Sequence, residues 1–435
     1  MTASLQGVLL NKFTVALFFT GALISISCRF GQEGATENPD GSVVVTKDTD
    51  PLVEAAKGTH PLVSQRRGAN DAKLRALWAQ KALVALDATS RVGTQTDATC
   101  ARNQLDSVKC WGWNYVGSLG LDPVSVLFSS KPMSVPSITE NLRSFSSGDR
   151  NTCVVTKVGA MMCFGSNFYG QLGDGTSAHT FKATVPSGLG SGVLWAVTRY
   201  SKTCAVRENK GLNCWGRGLA PTPGDVVGAT SGVLQVSLGE NHQCLLNDQF
   251  GVQCWGSNLL GEIGILASAT SVANPVKVEG LESGVVQIAV GGNHSCALLE
   301  NGGVKCWGSN NKGQLGDGTL EQRNTPVDVI GLSDAVLALS LGHNHSCALM
   351  KEGGLMCWGN NEYGQLGDGG LINRNSPVVV AQLQAGNRAL AAGFKHTCAM
   401  NKSDIIQCWG TDTFGSLGVG SVAGNVTVPV TVQEF

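Results

Sequence analysis

Apolar and polar positions in this chain repeat with two periods at once, a short one of two residues and a long one of about 51. The short period is clearest between paired cysteines. If Cys296-Ala-Leu-Leu-Glu-Asn-Gly-Gly-Val-Lys-Cys306 folds back with its cysteines opposed, Leu298 falls opposite Val304 on the face of the sulfurs. The tip is then Leu299 to Gly303, where Asn301-Gly302-Gly303 supplies residues that tolerate a positive φ. Other copies repeat the register. The residue two before the second cysteine is Val108, Met161, Leu212, Val252, Val304, Leu355 or Ile406. The residue two after the first is Val155, Val206, Leu246, Leu298, Leu349 or Met400, with Arg102 the exception. Alternation of this kind predicts antiparallel strands with one buried face. Gly284 to Val290 alternates in the same way and reads as a strand feeding the hairpin. Thr325-Pro-Val-Asp-Val329 and Ser376-Pro-Val-Val-Val380 supply a fourth.

The long period comes from the cysteines. They pair as Cys100 and Cys110, Cys153 and Cys163, Cys204 and Cys214, Cys244 and Cys254, Cys296 and Cys306, Cys347 and Cys357, Cys398 and Cys408. Each pair is ten residues apart, and Cys28 is left over. The second cysteine always opens Cys-aromatic-Gly, at intervals of 53, 51, 40, 52, 51 and 51 residues. Zinc would be the alternative use of so much cysteine, but it favours Cys-x₂₋₄-Cys clusters. No Cys-x-x-Cys occurs, so seven disulfides within hairpins are expected, and with them an oxidising compartment. Four short strands per unit in seven copies predict an all-β fold, a seven-bladed β-propeller of about 51-residue repeats with four antiparallel strands per blade. The first copy has no Pro-Val strand before it, whereas the chain ends in Val426-Thr-Val-Pro-Val-Thr-Val432. That run is therefore expected to complete the blade of Cys100 and Cys110.

Composition narrows the function. Charged residues make 14% of the 435, and Lys+Arg 31 against Asp+Glu 32 leaves a net charge of −1. A nucleic-acid groove needs a basic surplus, so no nucleic-acid partner is expected. At the N-terminus Phe13 to Ser27 is apolar and uncharged, too short to span a membrane but long enough for a signal peptide. It ends at Cys28, which resembles the lipid acceptor of bacterial lipoproteins, although Ser25 stands where that pattern prefers Leu. The expected organisation is a signal segment over 1–28, a tether and lead-in over 29–87, and the propeller over 88–435. The protein is expected to be exported, either anchored in the cell envelope or secreted after cleavage near Ser27, with membrane attachment only through a lipid on Cys28. Asp71 to Leu86 reads equally as an amphipathic helix or as a run-up to the first strand.

Gly-Gly-Asn-His-Ser-Cys-Ala-Leu from Gly291, then Cys306-Trp-Gly-Ser-Asn and Gly313-Gln-Leu-Gly-Asp-Gly-Thr319, resembles the regulator of chromosome condensation repeat in a bacterial exported form. The resemblance covers about residues 88 to 435. Two copies depart from it. The first carries Gln95 and Asp97-Ala98-Thr99 where others have Gly and a His-containing run. The third is about eleven residues short and lacks the Gly-Gln-Leu-Gly loop.

His242, His294, His345 and His396 stand two before the first cysteine, with Thr152, Thr203 and Thr99 in or near that slot elsewhere. Ligand nitrogens must meet at one metal, which residues on different blades do poorly, so these read as structural. No metal or cofactor is expected. Asp174, Asp317 and Asp368 each offer calcium a single carboxylate and read as turn residues. No nucleophile elbow, phosphate loop or His-Glu-x-x-His is present, so the chain is not expected to be an enzyme. The candidate binding residues precede the loop glycine: Tyr115, Phe168, Tyr169, Tyr363 and Phe414, gathered on one face as a broken aromatic ring. The short third unit would notch that ring. The leading expectation is an interaction module for a protein or cell-surface partner. The family resemblance also implies nucleotide exchange on a small GTPase, as in nuclear members, and loop aromatics that serve secreted β-lactamase inhibitors. An enzyme using the propeller funnel is the remaining alternative.

Overall fold

The computed structural model describes residues 89–435 apart from 104–105, 139–140, 333–335 and 423, together with 76–77, 79–82, 85 and four short N-terminal strands. The chain divides into two units, Met1–Gly68 and Ala69–Phe435. In the first, Val15–Phe19 pairs antiparallel with Ala22–Ile26, and Thr36–Glu37 with Val43–Val44. Cys28 lies outside the described residues.

The second unit holds seven four-stranded antiparallel sheets, and in each the four strands lie in chain order. Blade 1 comprises Val92–Thr94, Ala98–Arg102, Val108–Trp113 and Phe128–Ser134. The central hairpin of every blade has the expected register: Cys296 lies opposite Cys306 and Leu298 opposite Val304. All seven disulfides join cysteines ten apart, with Cα atoms 4.0–4.1 Å apart. At the hairpin tip the Leu299 amide donates to the Gly303 carbonyl, and Gly302 adopts φ +84°. The first strands line a central channel of about 160 Å³, to which every blade contributes.

Each blade packs face to face on the next. Leu298, Val304 and the Cys296–Cys306 bridge are buried in one cluster with Leu339, Met350 and Trp358 of the following blade. Residues 76–77, 79–82 and 85 are helical, and Ala85 is buried with Leu349, Leu390 and Trp409. Lys81 Nζ donates to the Glu300 carbonyl at 2.6 Å.

The sequence-based assignment of the C-terminal run to blade 1 is wrong. Gly424–Thr431 pairs with Ile406–Asp412, so blade 7 is built wholly from its own segment, and Phe128–Ser134 completes blade 1. The ring closes through side chains and loops instead. Lys109 Nζ donates to the Glu434 carbonyl at 2.8 Å, Trp111 packs edge-on against Phe435, and the Gly420 amide donates to the Ser130 carbonyl. Blade 3 is the irregular member, with a fourth strand of only Gly224–Asp225.

Peptide mapping of non-reduced protein should return seven links, each between cysteines ten apart. Replacing both Cys296 and Cys306 by Ser should cost about 2–4 kcal/mol in denaturant unfolding. A link between different repeats would contradict the structure.

Candidate functional site

The geometry of the loop face is set where one blade meets the next. A Gly-Gln-Leu-Gly loop joins the third and fourth strands and turns its second carbonyl toward the neighbouring blade. The Gln314 carbonyl accepts from Trp358 Nε1 at 2.9 Å and from the Ser346 hydroxyl at 2.9 Å. Gln365 serves Trp409 and Thr397 in the same way, Ser416 serves Trp111 and Thr99, and Gln171 serves Trp215 and Thr203. The loop must come close to do this. A Cβ on Gly316, which adopts φ +70°, would stand 2.7 Å from Trp358 Nε1. The motif's last glycine therefore answers to the neighbour's tryptophan.

The four histidines complete these seams. His242 Nε2 meets Ser295 Oγ at 2.8 Å, His294 meets Ser346 at 2.8 Å, His345 meets Thr397 at 2.9 Å and His396 meets Thr99 at 2.8 Å. Because each hydroxyl gives its proton to a loop carbonyl, Nε2 must carry the hydrogen and donate. Burial holds all four rings neutral: His242 and His345 are pushed down to about 3, His396 to about 4, and His294 well below its ordinary value. Contrary to the sequence-based expectation, the hydroxyls do not share the histidine slot. They follow it by one residue, and the slot is filled elsewhere by Ala98, Asn151 and Lys202.

In an antiparallel meander the connections between strands one and two and between strands three and four emerge at the same end. That end is the loop face. An asparagine after five of the seven Cys-aromatic-Gly sites organises it, with Asp412 in its place in blade 7 and Gly218 in blade 3. Asn310 Oδ1 accepts from the Leu315 amide while its Nδ2 donates to Asp317, and Asn167 and Asn361 do the same in blades 2 and 6. Asp317 also accepts from Thr319 and Arg323. Burial works against its charge, but these hydrogen bonds outweigh it and keep the carboxyl below its ordinary range. The aspartates are loop braces, as the sequence suggests.

Of the five candidate aromatics, Tyr115, Phe168, Tyr169 and Phe414 are exposed and Tyr363 is half-buried. The structure joins two of them through Trp113, which the sequence reading did not single out. Trp113 stacks on Tyr115 with ring centroids 5.5 Å apart and on Phe414 at 4.9 Å, and the Arg150 guanidinium lies 4.8 Å from its ring. A signal for Trp113 was present, since the equivalent positions hold Ser166, Arg217, Ser257, Ser309, Asn360 and Thr411, all polar. Phe168 packs edge-on against His179, and Lys395 caps the Tyr363 ring at 4.5 Å. The aromatics thus form two pieces, Tyr115–Trp113–Phe414 on blades 1 and 7 and Phe168–Tyr169 on blade 2, while Tyr363 of blade 6 meets blade 7 through Lys395.

The channel is capped at this face. Arg199 of blade 3 donates to the Val290 carbonyl of blade 5 at 2.8 Å and reaches the Ala392 carbonyl of blade 7 at 3.5 Å. Tyr200, buried at φ +50°, bonds His343, which stacks on Phe394 at 4.1 Å. Arg199 is the one ionisable side chain among the described residues lining the channel.

This architecture defines a closed repeat propeller with disulfide-stapled blades and a loop face that carries exposed aromatics. The match to the regulator of chromosome condensation (RCC1) repeat over residues 143–171 and from 251 to 400 makes the relationship explicit. Over those residues the chain carries the repeat of that family. It is 36% identical over 169 residues to the probable E3 ubiquitin-protein ligase HERC3 of Homo sapiens, covering 38% of this chain and 16% of that protein. It is 27% identical over 332 residues to the ultraviolet-B receptor UVR8 of Arabidopsis thaliana, covering 74% of this chain and 65% of that one. The chain thus spans less than two thirds of either relative. Among solved structures, Prp20p of Saccharomyces cerevisiae superposes with a TM-score of 0.68 at 20% identity, covering 79% of this chain and 88% of Prp20p. Human WBSCR16 gives 0.65 at 21% identity over 72% and 87%. These two likenesses establish the fold.

The buried histidines give the ring an acid dependence. Unfolded histidine titrates near about 6.5, and all four folded values lie below that. The unfolded chain therefore binds more protons in this window, so stability is complete above about 6.5 and is lost as pH falls toward the folded values. Melting temperature should fall between pH 6.5 and 5, above the range where most carboxylates titrate. His345→Gln should cost about 1–2 kcal/mol at pH 7.5 and flatten that slope. Equal melting at both pH values would refute the seam chemistry.

Proposed function

We propose that the protein is an exported propeller that captures a protein partner on its loop face, with the Tyr115–Trp113–Phe414 stack and the Phe168–Tyr169 pair as the contact surface. The stack carries the reading. Aromatic rings left exposed in loops and held rigid by their neighbours lose little entropy on binding, and such residues dominate interface energetics. Seven disulfides support a non-cytoplasmic location. Within this reading residues 1–28 direct export, Cys28 accepts the lipid and 29–87 form the tether and lead-in, whose last helical residues pack on the propeller. HERC3 is a probable ubiquitin ligase, UVR8 is a light receptor, and Prp20p has binding properties toward Gsp1p and histones. What we carry over to this chain is protein binding, as in Prp20p. An oxidising compartment sets the exchange reading aside, and a channel lined by one arginine and no carboxylate gives the funnel-enzyme reading no acid–base pair.

Tyr115→Ala, Phe168→Ala and Tyr169→Ala should each leave melting unchanged, because these rings stand more than half exposed at 60%, 62% and 54%. Capture of cross-linked partners from cell envelope and medium should weaken by about 1–3 kcal/mol per hot-spot residue. Lost melting temperature with capture intact would return these residues to a structural role. Separately, Cys28→Ala should move the protein from the membrane fraction to the soluble one. Retention of that variant in the membrane would remove the lipid from the proposal.

A further inference from the structure

The seam between blades 3 and 4 lacks what its neighbours have. One seam on, between blades 4 and 5, the Glu262 carbonyl accepts from Trp307 Nε1 at 2.9 Å and from Ser295 Oγ at 3.4 Å, while His242 donates to that hydroxyl. Blade 3 has no Gly-Gln-Leu-Gly loop, so the carbonyl that would serve blade 4 is missing. The donors remain. Trp255 stands at the tryptophan position, Gln243 at the hydroxyl position and Lys202 at the histidine position. Among the described residues none of these three side chains has a hydrogen-bond or ion-pair partner, in contrast to the other five Cys-Trp-Gly indoles. All three line one cleft of about 270 Å³.

The rest of the cleft fits the same ligand. Leu219, Val226 and Val227 form an apolar wall, suited to a short alkyl stem. Asp225 is the one carboxylate in the lining, and it is engaged by Asn213 Nδ2 at 2.7 Å. Burial and the Arg217 charge lower Lys202 to about 8, opposed by Glu240, with His242 neutral behind it. The ammonium is therefore retained at neutral pH. It is also poorly solvated, so an anion at the cleft would recover the hydration it has lost.

We propose that the cleft between blades 3 and 4 is a binding site for a carboxylate, held by Lys202 Nζ, the Gln243 amide and Trp255 Nε1. The acceptor oxygen takes the place of the loop carbonyl present at the neighbouring seams, and Lys202 adds a charge that no histidine seam has. A carboxylate on a short stem can come from a free dicarboxylic acid or from an Asp or Glu side chain on a partner's loop. The cleft lies away from the aromatic stack, and its ligand does not depend on the capture proposed there.

The test uses the full chain with ¹⁵N-labelled tryptophan, the Trp255 indole signal being assigned by its loss in Trp255→Phe. Succinate and the capped peptide Gly-Ser-Glu-Gly-Ser are titrated separately, with chloride and the Gln-containing peptide as controls. The Trp255 indole proton should move downfield with one or both carboxylates and with neither control. Lys202→Gln should weaken binding at least about tenfold, and Lys202→Arg should restore part of it. Raising the pH from 7 to 9.5 should weaken it similarly as Lys202 loses its proton. Tighter binding of the peptide would assign the site to a partner side chain, and tighter binding of succinate to a free metabolite. An indole signal unmoved by both carboxylates, or moved equally in a Lys202→Gln protein with unchanged melting, would overturn the proposal.

Discussion

At five of the seven seams a single backbone carbonyl ties one blade to the next. No ladder of strand hydrogen bonds crosses from blade to blade, so cohesion between blades rests on packed side chains, on single loop-to-loop backbone bonds such as Gly318 N–H to the Asn375 carbonyl, and on the loop oxygen that accepts an indole N–H and a hydroxyl from the next blade. Each such bond contributes about 1 kcal/mol net, but leaving a buried indole or hydroxyl unpaired costs more. The penalty for misplacing a loop thus exceeds the gain from placing it. That asymmetry fixes the loops, and the loops carry the exposed aromatics.

The disulfides act at a different level. Each closes a hairpin already specified by its turn and by the Leu298–Val304 type of pairing, so it stabilises a blade without linking it to its neighbours. Blades could then form early, with contacts local in sequence, while closure depends on the seams. Blade 7 and blade 1 meet through the same kind of carbonyl, from Ser416 to Trp111 and Thr99, that Gln171, Glu262, Gln314 and Gln365 supply at four other seams. A strand shared between the chain ends is therefore unnecessary.

Strand register, disulfide pairing and the propeller itself were legible because period-two alternation and a ten-residue cysteine spacing recur in every copy. Closure was not. Val426-Thr-Val-Pro-Val-Thr-Val432 has a face that suits any third strand, and the near one, Ile406–Asp412, wins because the intervening loop is short. The true fourth strand of blade 1, Phe-Ser-Ser-Lys-Pro-Met-Ser from Phe128, alternates too weakly to announce itself. The division of labour between histidine and hydroxyl was hidden for another reason. Its two halves lie about fifty residues apart and meet only across a seam, as His294 and Ser346 do.

A repeat keeps what the ring needs and leaves function to its exceptions. The stacked Trp113 replaces a polar residue, Arg199 and Tyr200 cap a channel whose other first strands end in small or apolar residues, and Lys202 replaces a histidine. Arg199 closes the first strand of blade 3 and Lys202 opens its second, with Tyr200 and Ser201 in the connection between them. Trp113 ends a third strand, at the same end of the sheet. All these departures thus fall on the loop face, where connections can vary without disturbing the paired cysteines below. Blade 3, with its shortened fourth strand, tolerates the loss of a seam bond because its neighbours retain theirs. The side chains freed by that loss line the cleft instead, Trp255 and Gln243 buried in its wall and Lys202 half-buried.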